Sequence, residues 1–202
     1  MSKWCFSASK LIMNRIFIED QNFQGISFSE EAMLKGDYEN CIFSSCIFAN
    51  SDLSLINFID CEFENCDFSL ADLKNAAFKD IKIKECKLIG VKFEECNSFG
   101  FAINFENCQL NLSSFYKLGL KNTKFKDCNL EEVDFGETNL AKVVFNNCNL
   151  LGAKFDTTFL EKADFRTAYN FSIDPEKNKI KKAKFLSSSL AGLLEKYNIE
   201  IE

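Results

Sequence analysis

The sequence contains no histidine and only one proline, Pro175, in 202 residues. Without histidine, the common general acid–base and catalytic-triad schemes lack their usual base. The eight glycines do not form a Walker-type phosphate loop, and no apolar run reaches the ~18 residues of a membrane-spanning helix. These absences predict a binding protein without catalytic residues, cofactor or membrane segment.

Apolar residues recur at every fifth position from Phe105 to Phe165, with phenylalanine and leucine alternating throughout. A helix needs apolar spacing near 3.6 residues and a strand needs 2, so a period of five fits neither element alone. The residue two positions before each centre is mostly small, as at Cys108 and Ala163, and the other positions are mostly polar. Each pentad is therefore predicted to be a very short strand with two inward side chains, followed by a corner.

Cysteines also repeat at a spacing of twenty residues. The sets are Cys46, Cys66 and Cys86; Cys108, Cys128 and Cys148; and Cys41 with Cys61. Four pentads per coil would stack each set in a column and would line two opposite sides with Phe and two with Leu. The sequence therefore predicts an all-β solenoid, a right-handed quadrilateral parallel β-helix with twenty residues per coil.

The cysteine columns also constrain redox chemistry and metal binding. Stacked cysteines would be separated by about the strand spacing of ~4.8 Å, which is too wide for disulfides. We therefore expect the nine cysteines of the repeats to be free apolar fillers in a reducing, cytoplasmic compartment. A metal site is not expected, because a column does not offer the tetrahedron that zinc needs.

From Phe43 to Phe93 an apolar residue also recurs at every fifth position, but this series is out of step with the one that starts at Phe105. Twelve residues separate Phe93 from Phe105, so two extra residues must be absorbed within 94–104. Gly100 suits the backbone of a bulge or short loop there. Phe99 and Phe101 cannot both point inward in a simple register. The candidate binding loop is therefore Phe99, Gly100 and Phe101, with the alternative that both rings tuck into a distorted corner.

Four pentads carry a family resemblance: Cys61–Asn65, Cys66–Leu70, Ala71–Asn75 and Ala163–Thr167. They resemble the pentapeptide-repeat family, whose consensus is a small residue, Asp or Asn, Leu or Phe, and two variable residues. The resemblance covers about 38–167 and implies a right-handed quadrilateral β-helix. It does not by itself imply a function, because one fold hosts many functions.

Two end segments, Phe28–Phe43 and Asn170–Asn178, resemble the microcin B immunity proteins and the quinolone-resistance (Qnr-like) proteins. This resemblance implies a dimeric rod that binds DNA gyrase or topoisomerase IV and relieves or modulates poisoning of the enzyme. The irregular segments 94–104 and 29–37 are shorter than the projecting loops of Gram-negative Qnr-like proteins. That difference favours gyrase binding or toxin immunity over protection against fluoroquinolones.

The net charge of −6 is unevenly distributed, with twelve acids against one base, Lys35, over 17–73. Over 38–73 the density of acids is comparable with that of duplex DNA, which carries one charge per ~1.7 Å. These coils are predicted to mimic DNA in a basic groove of the partner, and a solvated surface is the alternative. No basic stripe stands out, so direct nucleic-acid binding is not expected. The seven candidate acids are Glu39, Asp52, Asp60, Glu62, Glu64, Asp67 and Asp72.

A stacked solenoid must cover its two ends. At the C-terminal end, residues 187–189 are serines that can cap a helix with one apolar face, and Asn198 can end it. At the other end, Ser29 to Gly36 is predicted as a short helical turn capped by Ser29 and stopped by Gly36. The Qnr-like resemblance implies end-to-end dimerisation, and a cap that only seals its own coil is the alternative. The candidate dimer residues are Leu190, Leu193, Leu194, Tyr197, Ile199 and Ile201.

The predicted organisation is an entry segment and cap at 1–37, the β-helix at 38–167, and a C-terminal cap and dimerisation segment at 168–202. The N-terminus does not resemble a signal peptide. The leading hypothesis is a non-enzymatic, DNA-mimicking rod that binds a type II DNA topoisomerase and gives immunity or resistance to topoisomerase poisons. The alternative is a scaffold or adaptor for an unrelated protein, favoured by the mixed charge of 104–165, with nine acids and seven lysines.

Overall fold

The computed structural model describes residues 15–200, so Ile201 of the predicted dimer interface and the first fourteen residues lie outside it. Eleven short strands are described, and all of their pairings are parallel. β1, β3, β5 and β7 form a four-stranded sheet, and the other seven form a second sheet. Their bounds are β1 Ile16–Glu19, β2 Asn22–Gln24, β3 Gly36–Glu39, β4 Ile42–Ser44, β5 Asn57–Ile59, β6 Glu62–Glu64, β7 Ala77–Lys79, β8 Ile81–Lys84, β9 Ile103–Glu106, β10 Lys124–Lys126 and β11 Val144–Asn146.

Except across the irregular segment, paired residues are twenty positions apart, as Phe23 with Phe43 and Phe125 with Phe145. The four pentads of a coil therefore form four sides, which confirms the predicted four-cornered parallel solenoid. We number the four sides by the buried central residues of the first coil, which are Ile18 on side 1, Phe23 on side 2, Phe28 on side 3 and Met33 on side 4. The first sheet lies on side 1 and the second on side 2. Pairing extends beyond 38–167, from β1 to the bridge of Asp164 with Lys184.

The inward Phe side chains stack as columns along the axis. On side 2 the Phe105 and Phe125 ring centroids lie 5.1 Å apart and 5° from parallel. On side 4 the Phe93 and Phe115 rings lie 4.5 Å and 3° apart. Leu110 and Leu120 occupy the two remaining sides and are fully buried. From Phe105 onward, the alternation of Phe and Leu along the chain thus becomes two opposite aromatic walls and two aliphatic ones, as predicted. In the earlier coils, sides 1 and 3 also carry inward aromatic rings, as at Phe58 and Phe68.

The two cysteine sets on side 3 belong to one column of six. The Cys46 amide donates to Cys66 Sγ at 3.4 Å, and the Cys66 amide donates to Cys86 Sγ at 3.2 Å. The column continues into the later set, because Lys87 bridges Gln109 and Gln109 bridges Asn129. All nine cysteines in the described part of the chain are buried and free of disulfides. They fill the small inward position, as the sequence indicated.

The irregular segment takes up two extra residues, since Ile81 pairs with Ile103 at an offset of 22. A 3₁₀ helix at Phe93–Glu95 precedes a turn at Phe99 and Gly100. Phe101 turns inward and lies 6.3 Å from the Phe78 ring, whereas Phe99 is 79% exposed. Of the two alternatives, one exposed ring or two tucked rings, the structure shows the first.

Both ends differ in detail from the predicted caps. The C-terminal segment forms 3₁₀ helices at Ser187–Leu193 and Glu195–Tyr197, not one α-helix, and its N-cap is Leu186 without a side-chain bond. Asn198 ends it in the left-handed region, as expected. Near the other end, the helical turn begins earlier, with the Glu31 amide donating to the Ser27 carbonyl at 3.2 Å. Gly36 begins β3 and stops no helix, because its amide belongs to the ladder.

Candidate partner-binding surface

The seven candidate acids do not gather on one surface. Glu39 and Asp60 lie on side 1 and its corner, Glu62 and Glu64 flank the centre of side 2, and the remaining three lie on sides 3 and 4. Successive pentads face four directions, so acids that are close in sequence point apart. The remaining acids are Asp67 on side 3, and Asp52 and Asp72 on side 4.

Several of these acids are neutralised by bases from neighbouring coils. Lys82 Nζ lies 2.5 Å from Glu62 and Lys84 Nζ lies 2.9 Å from Glu64, each one coil away. All four side chains are solvent-exposed, so water screens both pairs and each contributes little to stability. The sequence window 38–73 missed these partners because they lie twenty residues from the acids they meet.

Asp52 on side 4 is neutralised in the same way. Lys35 Nζ lies 2.7 Å from its carboxylate. Lys35, together with the Ser54 side chain and amide, lowers the pKa of Asp52 to about 2. Asp67 and Asp72 each accept a hydrogen bond at 2.9 Å from the amide two residues later. These carboxylates therefore stabilise their own corners as well as facing solvent.

Side 1 retains an acidic surface on which five of six acids form no ion pair within the described residues. We use the name acidic stretch for residues 17–20, 37–40, 57–60 and 77–80, which hold six acids and Lys79. Of the six, Asp37 is paired with Arg15 at 3.0 Å. Within residues 15–200 the other five form no ion pair: Glu19, Asp20, Glu39, Asp60 and Asp80. Sequence reasoning selected two of these five, and the spacing of twenty is the signal that could have added the rest.

The candidate loop projects beside the acidic stretch. Phe99 Cβ and ring stand clear of the core, and Lys79 Nζ lies 5.7 Å from the ring centroid. Gly100 packs over the Lys79 side chain and has a φ of +72°, a left-handed conformation that glycine adopts without strain. Asn97 Oδ1 accepts the Phe99 amide at 3.0 Å and shapes the turn. The loop thus presents one aromatic ring to solvent on side 1.

The C-terminal candidates divide into two groups. Leu193 packs against the core, whereas Leu190, Leu194, Tyr197 and Ile199 are 37–56% exposed. The segment is held down by ion pairs, since Lys196 Nζ lies 2.7 Å from both Asp174 and Glu176. The exposed members form an apolar surface at the end of the rod.

The buried thiols of Cys96 and Cys108 are kept in their protonated form. Hydrogen bonding to Cys128 and burial raise the pKa of the Cys108 thiol, and burial raises that of Cys96, so these thiols stay protonated. Between residues 15 and 200, no three acids or cysteines converge on a point where a metal ion could bind. No helix in that range is long and apolar enough to cross a membrane.

Comparisons with known proteins agree with this architecture. A family model described as a pentapeptide repeat region matches residues 37–104 and 101–193. The fold is similar to that of QnrB1, described as a plasmid-mediated fluoroquinolone resistance protein. A trypsin-treated form is 18% identical with a TM-score of 0.61 over 92% of this chain and 91% of that one. Full-length QnrB1 is 19% identical with a TM-score of 0.57 over 91% and 100%.

No curated protein matches the sequence at a significant level. The family model nevertheless covers well over half of the chain, and its repeats coincide with the pentads that form the four sides. The chain therefore belongs to the pentapeptide-repeat family.

Proposed function

We propose that the protein is a non-enzymatic rod that binds a type II DNA topoisomerase, gyrase or topoisomerase IV, and gives immunity or resistance to a topoisomerase poison. The proposal is supported by the Qnr-like end segments and by the acidic stretch. QnrB1, which shares the fold, is itself described as a resistance protein. We place the protein in the cytoplasm, where such a target works.

The acidic stretch is the observation on which the proposal depends. Its four strands lie three coil steps apart from end to end, which is ~14 Å at ~4.8 Å per step. Six acids and Lys79 give it a net charge of −5, while duplex DNA carries ~8 charges over that length. The two densities are of the same order, and a basic groove that accepts DNA would attract both.

The rod would act by occupying the groove, with a flat side of the solenoid as the contact surface. Carboxylates on side 1 would take the positions of phosphates, and the exposed Phe99 ring would add an apolar contact beside them. End-to-end dimerisation through the C-terminal candidates would present two acidic stretches at opposite ends of one rod. Three of the original seven acids, Glu62, Glu64 and Asp52, would contribute less because lysines already pair with them.

A supercoiling assay with purified gyrase, with and without a poison, tests the proposal. We expect micromolar wild-type protein to inhibit supercoiling or to relieve poisoning. The variant Glu39→Gln/Asp60→Asn should lose at least tenfold in potency, because it removes unpaired charges from side 1. The matched control Glu132→Gln/Asp156→Asn removes the same charge from sides 3 and 4 and should behave as wild type. The proposal is refuted if micromolar protein neither inhibits supercoiling nor relieves poisoning.

A second candidate is a scaffold for an unrelated protein. It is favoured by leucines at exposed corners, since Leu70 and Leu112 are 63% and 58% exposed on the corner after side 3. A pull-down from the source lysate distinguishes the two functions. Recovery of partners without any topoisomerase subunit, lost on Leu70→Ser/Leu112→Ser, would support the scaffold.

A further inference from the structure

Side 1 carries opposite charges on its two halves. We use the name lysine stretch for residues 119–122, 139–142, 159–162 and 179–182, which continue side 1 beyond the Phe99 loop. It holds six lysines and Glu161, for a net charge of +5, whereas the acidic stretch carries −5. The sequence reading found no basic stripe because these lysines are spread over sixty residues. Stacking of the coils brings them together.

The lysine stretch contains a column of like charges. Lys142, Lys162 and Lys182 occupy successive corners, with φ of 63°, 61° and 60°. Their backbones are in register, since the Lys142 amide donates to the Glu161 carbonyl and the Lys162 amide to the Lys181 carbonyl, both at 3.0 Å. The Cα atoms are therefore about one strand spacing apart, ~4.8 Å. Like charges placed directly opposite each other on neighbouring strands are destabilising.

Side 2 shows how the same chain avoids such repulsion. There, acid and lysine alternate along the column, as in Glu106 with Lys126 at 2.6 Å. In the lysine stretch, by contrast, no lysine forms an ion pair within residues 15–200. Lys179 makes only a cation–π contact, 4.3 Å from the centroid of the Phe159 ring. Water and counter-ions screen these lysines, and carboxylates of a second molecule on this face would relieve the remaining repulsion.

We infer that this molecule is a second copy of the chain, packed antiparallel on side 1. The two-fold axis lies in the plane of the contact, perpendicular to the rod, at the level of the Phe99 loop. Each column of side 1 then faces the same column of the other copy, which runs in the opposite direction. It places Asp60 opposite Lys142 of the second copy, and Asp20 opposite its Lys182.

Each acidic stretch, with a net charge of −5, then faces a lysine stretch with a net charge of +5, and the two halves of the isologous contact are equivalent. The complementarity lies in the net charge and in the corner column, since in the adjacent column Glu39 faces Glu161 and Lys79 faces Lys121 of the second copy.

The loop position fits this symmetry. The coil that holds the loop stands midway in the corner column, with Asp80, Asp60, Asn40 and Asp20 on one side and Asn122, Lys142, Lys162 and Lys182 on the other. The column spans eight steps, ~38 Å at ~4.8 Å each. Phe99, 79% exposed, lies on the axis, so the two Phe99 rings meet at the centre of the contact. A central aromatic pair within a charged rim is a common arrangement of interface hot spots.

This lateral contact uses a different surface from the C-terminal end. Either contact alone gives a dimer, whereas the two contacts together would link dimers into a larger assembly. The lateral contact covers the acidic stretch, so self-association and topoisomerase binding would compete for it. The lateral contact does not depend on the topoisomerase, and it can be tested by sedimentation of the purified protein alone.

Sedimentation velocity in about 0.1 M and about 1 M NaCl tests the inference, because the screening length falls from ~10 Å to ~3 Å. We expect the average mass of the wild-type chain to at least double on lowering the salt. Lys142→Glu/Lys162→Glu/Lys182→Glu makes both halves of side 1 negative and should abolish this increase. Asp20→Lys/Asp60→Lys/Asp80→Lys makes both positive and should abolish it too. Glu and Lys already occupy left-handed corners at Glu132 and Lys117, so both triple variants should fold.

An equimolar mixture of the two triple variants should regain the salt-dependent association, because opposite charges then face each other along the whole side. The control Lys87→Glu/Lys154→Glu/Lys177→Glu makes the same change in net charge away from side 1 and should associate as wild type does. A mass independent of salt, or a mixture that stays dissociated, would overturn the inference. So would salt-sensitive binding of duplex DNA that the lysine variant loses while the protein mass stays constant, since it would assign the lysine stretch to nucleic acid.

Discussion

The Phe125 ring is expected to be among the most sensitive positions of the rod. It is fully buried and stacks between Phe105 and Phe145, at centroid distances of 5.1 and 5.3 Å. The edges of Phe115 and Phe135 approach it at 6.0 and 6.1 Å. Phe125→Ala removes these contacts and leaves a cavity that the stacked coils above and below cannot close. We expect a loss of ~3–5 kcal/mol in the free energy of unfolding.

For a chain of this length, each kcal/mol corresponds to ~2–4 °C in Tm, so the expected fall in Tm is ~6–20 °C. Guanidinium denaturation followed by far-UV circular dichroism measures the free energy directly. The matched control is Phe99→Ala, since that ring is exposed, and its change should stay within ~0.5 kcal/mol. Phe125→Leu keeps an apolar side chain of the kind found on sides 1 and 3, and should cost less than Phe125→Ala. A loss below ~1 kcal/mol for Phe125→Ala would refute the stacked-column account of stability.

Three further predictions concern the ends and the thiols. Gly192→Ala should loosen the C-terminal cap, seen as faster local hydrogen exchange, because a Cβ there would lie 2.3 Å from the Phe171 carbonyl oxygen. Lys196 lowers the pKa of Asp174, so their contact should contribute stability above the ordinary carboxylate pKa of ~3.9 and lose it as pH falls through the folded value; an NMR titration of Asp174 that shows no depression would contradict this. The nine buried cysteines should resist a thiol reagent in the native protein and react on unfolding; rapid native labelling of any of them would contradict the packed core.

The spacing of residues was sufficient to predict the inward half of this protein. A centre every five residues, with a small residue two positions earlier, determines which side chains point inward, because that depends only on local backbone geometry. The period of twenty then gives the number of sides. The C-terminal cap was predicted less accurately, as an α-helix, because its apolar spacing fits that helix while the short segment is held in 3₁₀ turns by packing on Phe171 and by the Lys196 ion pairs.

The outward half was decided by the stacking of coils. The acids of 38–73 predicted coils that mimic DNA, but Lys82 and Lys84 lie one coil away and neutralise two of these acids. The offset of 22 at Ile103 joins two cysteine sets into one column, a result that a strict period of twenty does not give. The opposite charges on the two halves of side 1 arise in the same way. Sequence determined what lies inside, because burial follows from a local repeat, whereas the neighbours of each exposed charge depend on which coil lies above it.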